Sequence, residues 1–179
     1  MTVGGIVLAG GRSTRMGTPK ADLQWEGVSL VTHVAQTLTE ILDGPVLVVG
    51  APGQVLPAHL HVVHDPAEGQ GPLRGLATGL AAIAADVAFV CATDQPFVAQ
   101  AAAPLIAALG RHDAAAQALD QPLGAVYTTA LATTAAERLA GGDRSLKGLL
   151  RAIDTVVVPG DIDLLRSLDT PEDYERARS

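Results

Sequence analysis

The chain has 179 residues, 48% of them apolar and 17% charged, with 12 Lys and Arg against 19 Asp and Glu for a formal net charge of −7. That balance excludes a disordered or collagen-like chain, and the acidic excess argues against a nucleic-acid binder, which would show a basic face. The length predicts one domain, residues 1–179, and the sole cysteine, Cys91, excludes a disulfide framework or a multi-cysteine zinc site.

Residues 1–9 are apolar but short, lack a basic leader and run straight into glycines and arginines, unlike a secretory signal. The longest greasy stretch, residues 73–98, is broken by Arg74, Asp86, Asp94 and Pro96, so no membrane span is expected and the chain reads as cytoplasmic. Residues 6–9, 46–49, 61–64 and 87–92 read as short strands, the first, second and fourth of them buried on both faces. Cys91, inside the last of these runs, reads as an inert core thiol. Residues 29–42 read as a helix ended by Gly44-Pro45, residues 72–84 as a helix opening on Pro72, and residues 99–109 as one stopped by Gly110. Beyond them, residues 114–119 and 123–127 suggest paired strands joined at Asp120-Gln121-Pro122. Residues 128–139 and 145–153 follow as helices, and 155–158 as a late strand. Thr170-Pro171-Glu172-Asp173 combines an N-cap, a first-turn proline and first-turn acids, which predicts a last helix. The alternation of strands and helices predicts an α/β layered fold with a mainly parallel sheet.

The net charge hides an asymmetry. Residues 1–21 carry Arg12, Arg15 and Lys20 and no acid, a charge of +3, whereas the remainder carries −10. A compact cationic segment in an acidic chain suits a small anion. Gly10 and Gly11 let the backbone turn sharply and bring N–H groups close to a ligand, and the three cations offer positive charge to phosphate oxygens. Neither a Walker loop nor Gly-x-Gly-x-x-Gly is present there. A glycine-rich turn with solvated arginines is the plain alternative. Asp94, just after an apolar strand, adds a carboxylate at the strand end where ligands of open parallel sheets gather, as a Mg²⁺–nucleotide site requires; a simple Asp94-Gln95-Pro96 turn is its alternative. His59, His61 and His64 are spaced so that the third points away from the first two on a strand, which suits a shared metal poorly.

Leu8-Ala9-Gly10-Gly11, Arg15-Met16-Gly17 and Lys20 resemble the signature of the MobA-like nucleotidyltransferases, which attach a nucleotide to molybdopterin. The resemblance continues in order through His64-Asp65-Pro66, Gly71-Pro72-Leu73-Arg74-Gly75, Cys91 to Pro96, Gln121 to Tyr127, Gly142-Asp143-Arg144-Ser145-Leu146 and Asp169 to Asp173, and so covers nearly the whole chain. It implies a three-layer α/β/α Rossmann-like nucleotidyltransferase fold. It also implies nucleotide binding by Leu8, Ala9, Gly10, Gly11, Lys20, Asp65 and Asp94, catalysis by Lys20, Arg15 and Asp94, and Mg²⁺ on Asp94. Gly10-Gly11 with Gly71-Pro72-Leu73 resembles the members that use GTP, whereas cytidylyl members tend to carry Ala-Ala-Gly and lack Gly-Pro-Leu. The implied reaction transfers GMP from GTP to the terminal phosphate of molybdopterin and releases pyrophosphate. Lys20 is expected to support turnover more than binding. Arg144 and Lys147 are candidates to hold the pterin phosphate, with Arg74 in a similar position, and two solvated cations at a helix start are the alternative. By the same resemblance the product passes to molybdoenzymes or cofactor-handling proteins.

The match is uneven. Members often carry Asn after the second strand, where Gly50 stands; Asn-x-Asn before Thr-Pro, where Ser167, Leu168 and Asp169 stand; and Thr after the metal aspartate, where Gln95 stands. Loss of the first asparagine removes a base or ribose contact, and Asp169 is expected to help the metal or to cap the last helix. A relative using CTP or another phosphorylated acceptor, or a non-catalytic nucleotide-binding relative, stays open beside the guanylyltransferase.

Overall fold

Every residue of the first strand is buried, and the rest of the chain is laid down around it. In chain order the elements are β1 (Val3–Leu8), β2 (Gln24–Trp25), β3 (Val28–Ser29), α1 (Leu30–Ile41), β4 (Val46–Gly50), β5 (Val62–His64), α2 (Pro72–Ala82) and β6 (Val87–Ala92). Then come α3 (Ala102–Leu109), β7 (Ala114–Ala116), β8 (Ala125–Thr128), α4 (Leu131–Ala140), α5 (Leu146–Ala152), β9 (Thr155–Val157) and α6 (Pro171–Arg178). The structure, a computed structural model, describes residues 1–10, 20–67 and 69–178.

Seven strands form one sheet in the order β5-β4-β1-β6-β8-β7-β9. All pairings are parallel except those of β8, which runs antiparallel to both β6 and β7. Strand alternation divides the core into two layers. Val7, Val48, Phe89 and Cys91 point toward α1 and α3, whereas Ile6, Leu47, Val49 and Val90 point toward α2, α4 and α5. This is the three-layer α/β/α arrangement. Cys91 is fully buried, and burial pushes its thiol pKa far up, as an inert core residue requires.

Helix ends follow local chemistry. Ser145 caps α5, its hydroxyl accepting from Gly148 N–H at 2.9 Å. Thr170 and Asp173 form a reciprocal cap on α6: the Thr170 hydroxyl accepts from Asp173 N–H at 3.1 Å, and the Asp173 carboxylate accepts from Thr170 N–H at 3.1 Å. The cap is therefore Thr170, and the expectation that Asp169 would provide it is corrected.

Other boundaries move for identifiable reasons. β1 starts at Val3 because Gly4 and Gly5 remain in the ladder. The helix expected over 99–109 opens as a 3-10 turn, Val98–Ala101, before α3 begins. β7 ends at Ala116, three residues short of the apolar run. The β2–β3 hairpin has no counterpart in the sequence reading. Its two-residue loop, Glu26-Gly27, has φ of 49° and 88°, the pair of positive values that a type I′ turn needs. The hairpin buries Trp25, whose ring meets Phe97 edge-on at 5.7 Å and Tyr174 at 5.9 Å. The Tyr174 hydroxyl donates to the Gln24 carbonyl and so ties α6 to the hairpin.

α2 lies close to the sheet through Gly79, where a Cβ would stand 2.7 Å from Ile6 Cγ2 and 3.2 Å from Val49 Cγ2. Ile6 is wholly buried and cannot swing away. Gly79→Ala should therefore cost about 1–3 kcal/mol in overpacking, offset by about 1 kcal/mol of helix propensity. The expected result is a lower urea midpoint with an unchanged slope. A midpoint that rises instead would show that α2 does not pack this closely on β1.

Candidate active site

β1 and β6 end in one row, Leu8 standing opposite Ala92, with Val49, one residue before the end of β4, on its other side. Beyond that row the ladder stops and the free backbone groups find partners across loops. Ala9 and Gly10 N–H both donate to the Val49 carbonyl, at 2.8 and 3.3 Å. The Leu8 carbonyl accepts from the Thr93 N–H at 3.1 Å and the Thr93 hydroxyl at 3.2 Å. A Cβ at Gly10 would lie 3.2 Å from Ala51 N, so the turn approaches the next loop closely. Leu8 and Gly10 line a cavity of about 790 Å³ over these strand ends, with Ala9 half-buried between them. That volume lies in the range of small-ligand sites. Lys20 opens a 3-10 turn, Lys20–Asp22. Gly11 and Arg15 lie outside the described residues, and so do the contacts of the Lys20 side chain.

Asp65 follows β5 and lines the same cavity, its N–H donating to the Gly50 carbonyl at 2.9 Å. Burial raises its pKa above the usual carboxylate range, partly offset by a hydrogen bond from the Thr78 hydroxyl, 2.6 Å from Oδ1, and by the nearby Arg74 charge. Thr78 thus orients the carboxylate from the second turn of α2. The sequence reading missed it because it lies 13 residues away on another element.

Asp94 stands on the turn after β6, outside the linings of both cavities described here. Its carbonyl accepts from Leu168 N–H at 2.9 Å, which brings the segment carrying Asp169 against the Asp94 turn. Gln95, buried beneath it, accepts from Ala92 N–H at 2.9 Å and donates to the Leu165 carbonyl at 2.7 Å. Among the described residues no group of three or more His, Cys, Asp or Glu is placed to hold a metal. His59, His61 and His64 accordingly form no cluster: His59 Nε2 meets the Thr32 hydroxyl and His64 Nε2 meets the Gln54 carbonyl. A hard carboxylate at a strand end fits Mg²⁺, which takes one or two carboxylates and fills its octahedron from phosphates and water.

A second cavity, of about 400 Å³, adjoins the first and shares Pro72 and Leu123 with it. Arg144 and Lys147 line it, together with Gln95 and Gln121. The Arg144 loop is held by Asp143, which accepts from Ser145 N–H at 2.8 Å and from Arg138 at 2.5 Å. Those bonds, the Ser145 one first, keep the Asp143 pKa below the usual carboxylate range. On the facing side the Tyr127 hydroxyl donates to the Pro122 carbonyl at 2.7 Å, and burial pushes its pKa far up, so it stays a donor. Leu8, Gly10 and Asp65 therefore share one cavity, Arg144 and Lys147 the next, and the β6 turn separates them, with Ala92 lining the first and Gln95 the second. Arg74 lines neither. Gln54, on the wall of the first cavity, was not anticipated as a site residue. One signal was available: Gln54 and Gln95 each stand three residues after an alanine that leaves a buried strand.

Known proteins agree with this architecture. The "Probable molybdenum cofactor guanylyltransferase" of Mycobacterium avium (strain 104) is 37% identical over 172 residues, which cover 89% of this chain and 87% of that protein. The crystal structure of molybdopterin-guanine dinucleotide biosynthesis protein A from Archaeoglobus fulgidus superposes with a TM-score of 0.76 at 20% identity, over 97% of this chain and 96% of that one. Rv0371C of Mycobacterium tuberculosis H37Rv, crystallised in complex with manganese, shares the fold with a TM-score of 0.63 at 18% identity, over 98% and 97% of the two chains. The family model of the MobA-like NTP transferase domain matches residues 5–157, and the chain belongs to that family.

Proposed function

We propose that this protein is a molybdenum cofactor guanylyltransferase, transferring GMP from Mg-GTP to the terminal phosphate of molybdopterin to give the guanine dinucleotide and pyrophosphate. The carrying observation is the pair of adjoining cavities that meet at the Asp94 turn, one lined by the glycine turn and Asp65, the other by Arg144 and Lys147. Group transfer needs two substrates held side by side, and this arrangement supplies a compartment for each. The names of the relatives at 37% identity support the choice of donor and acceptor.

In this reading the nucleotide lies in the larger cavity, with Leu8, Ala9, Gly10 and Gly11 against base and phosphates and Asp65 accepting from N–H donors of the guanine. Arg15 and Lys20 hold the triphosphate. The acceptor phosphate sits by Arg144 and Lys147. One of its oxygens forms a bond to the α-phosphorus while the bond to the bridging β-phosphate oxygen breaks, and the electron pair leaves with pyrophosphate. A phosphate monoester has a second pKa near 6, so at neutral pH the nucleophile is largely ionised and no general base is required. Asp94 holds Mg²⁺, which when bound neutralises charge on the phosphate oxygens. Lys20 and Arg15 stabilise the departing charge, so catalysis consists of positioning and electrostatic compensation.

Pyrophosphate release with molybdopterin and Mg²⁺ is expected with GTP and not with CTP at equal concentration. Asp94→Ala should lower kcat by at least about 100-fold, the usual cost of removing one electrostatic stabiliser. Release with CTP alone would overturn the base assignment, and release with neither would overturn the reaction. Arg144→Ala should raise KM for molybdopterin about tenfold, the worth of one charge-assisted hydrogen bond, and leave KM for GTP unchanged. An equal rise in both constants would remove Arg144 from the acceptor site.

Asp65 can accept at both oxygens, with the strength of a charged acceptor, only when ionised. Because burial raises its pKa, GTP affinity should fall as pH drops through that raised value, at a higher pH than an ordinary aspartate would produce. Asp65→Asn should weaken GTP at neutral pH and flatten the acid limb of a calorimetric affinity profile. A wild-type profile flat into the ordinary aspartate range would take Asp65 out of contact with the base.

A further inference from the structure

β4 ends at Gly50, and the space beside that residue is already taken. A Cβ on Gly50 would stand 3.0 Å from Leu56 Cδ1 and 3.4 Å from Gln54 Oε1. The carboxamide of Gln54 joins two loops: Oε1 accepts from Ala51 N–H at 2.9 Å, and Nε2 donates to the Ala9 carbonyl at 3.2 Å. One partner can only donate and the other only accept, so the carboxamide has a single orientation. The backbone of Gln54 is held as well, its carbonyl accepting from His64 Nε2 at 3.0 Å. Gln54 therefore links the ends of β1, β4 and β5 along the wall of the larger cavity. Through this bond Gln54 reaches the glycine-turn backbone from the neighbouring loop.

We propose that Gln54 is a positioning residue for the nucleotide: it staples the turn at residues 8–10 to the loop after β4, in the space that Gly50 leaves by having no side chain. The role rests on the nucleotide-transfer reading above. It makes Gly50 and Gln54 a coupled pair, because a side chain longer than alanine at 50 and the Gln54 carboxamide compete for one volume. It also requires an amide at position 54. A glutamate there would still accept from Ala51 N–H but would set a carboxylate against the Ala9 carbonyl.

The test uses the full chain, with GTP affinity by calorimetry, KM and kcat by pyrophosphate release, and thermal unfolding as a control for folding. Gln54→Ala and Gln54→Glu should each raise the Kd and KM for GTP about tenfold, the scale of one or two lost hydrogen bonds, while kcat changes less than about threefold. Gly50→Asn should weaken GTP in the wild-type background and cost less when combined with Gln54→Ala than it does alone. GTP binding by Gln54→Ala equal to that of the wild type would overturn the inference alone. So would a loss confined to kcat, a loss that only follows global unfolding, or strictly additive losses in the double variant. Failure of the unsubstituted protein to bind any nucleoside triphosphate would overturn the nucleotide reading and this inference with it.

Discussion

The hydrogen-bonding obligation at the carboxyl end of β1 governs the rest of the molecule. β1 is flanked by parallel partners on both edges, so its ladder is complete up to Leu8 and stops there. An unpaired buried carbonyl or N–H costs about 1–3 kcal/mol, and the chain meets the need by drawing three loops together. Val49 supplies an acceptor for Ala9 and Gly10, Thr93 supplies two donors for Leu8, and Gln54 supplies one for Ala9. The loops that satisfy β1 are therefore the loops that surround the candidate site. Its geometry is set by the same bonds that close the sheet.

The irregular second half gains a purpose from this arrangement. β8 is the one reversed strand, and its antiparallel pairing with β6 and β7 brings the loop before it, residues 120–123, to the same end of the sheet as Asp94. The buried Tyr127 fixes that loop through Pro122. The segment between β9 and α6 returns beneath the β6 turn and holds it through Leu165 and Leu168. α6 is pinned in turn by Tyr174 against the Trp25 hairpin. The C-terminal third thus braces Asp94 from below and contributes the cationic Arg144–Lys147 wall of the smaller cavity.

The central strands and the covering helices were legible because their burial is written as apolar runs and helix periods in the chain. A cap was legible at Thr170, where a hydroxyl residue precedes the helix-opening proline. The Trp25 hairpin was not, since two-residue strands carry no periodicity and the turn depends on positive φ at Glu26 as well as Gly27. β7 was overextended because an apolar run does not mark where pairing ends. Asp65, Asp94, Arg144 and Lys147 were named from charges beside strand ends or from motifs, and the structure puts Asp65, Arg144 and Lys147 on cavity walls. Thr78 acts across 13 residues and leaves no local trace, whereas Gln54, which reaches across 45, is marked only by its spacing from Ala51.

Two glutamines, Gln54 and Gln95, have one physical form. Gln54 Oε1 accepts from the N–H of Ala51, three residues back, and Nε2 donates to a distant carbonyl, that of Ala9. Gln95 Oε1 accepts from the N–H of Ala92, also three residues back, and Nε2 donates to a distant carbonyl, that of Leu165. In both cases a strand has just ended and the chain must turn while leaving few groups unpaired. A glutamine is long enough to reach back to the strand end and still span to another loop, which a serine or threonine hydroxyl cannot do. It also remains neutral, so it adds no charge beside Asp65 or Asp94, where a lysine or glutamate in the same place would alter the local field. Positions 54 and 95 thus both hold neutral amides that carry hydrogen bonds between loops. The division of labour that results has amides and backbone holding the shape while Asp65, Arg144 and Lys147 line the cavities.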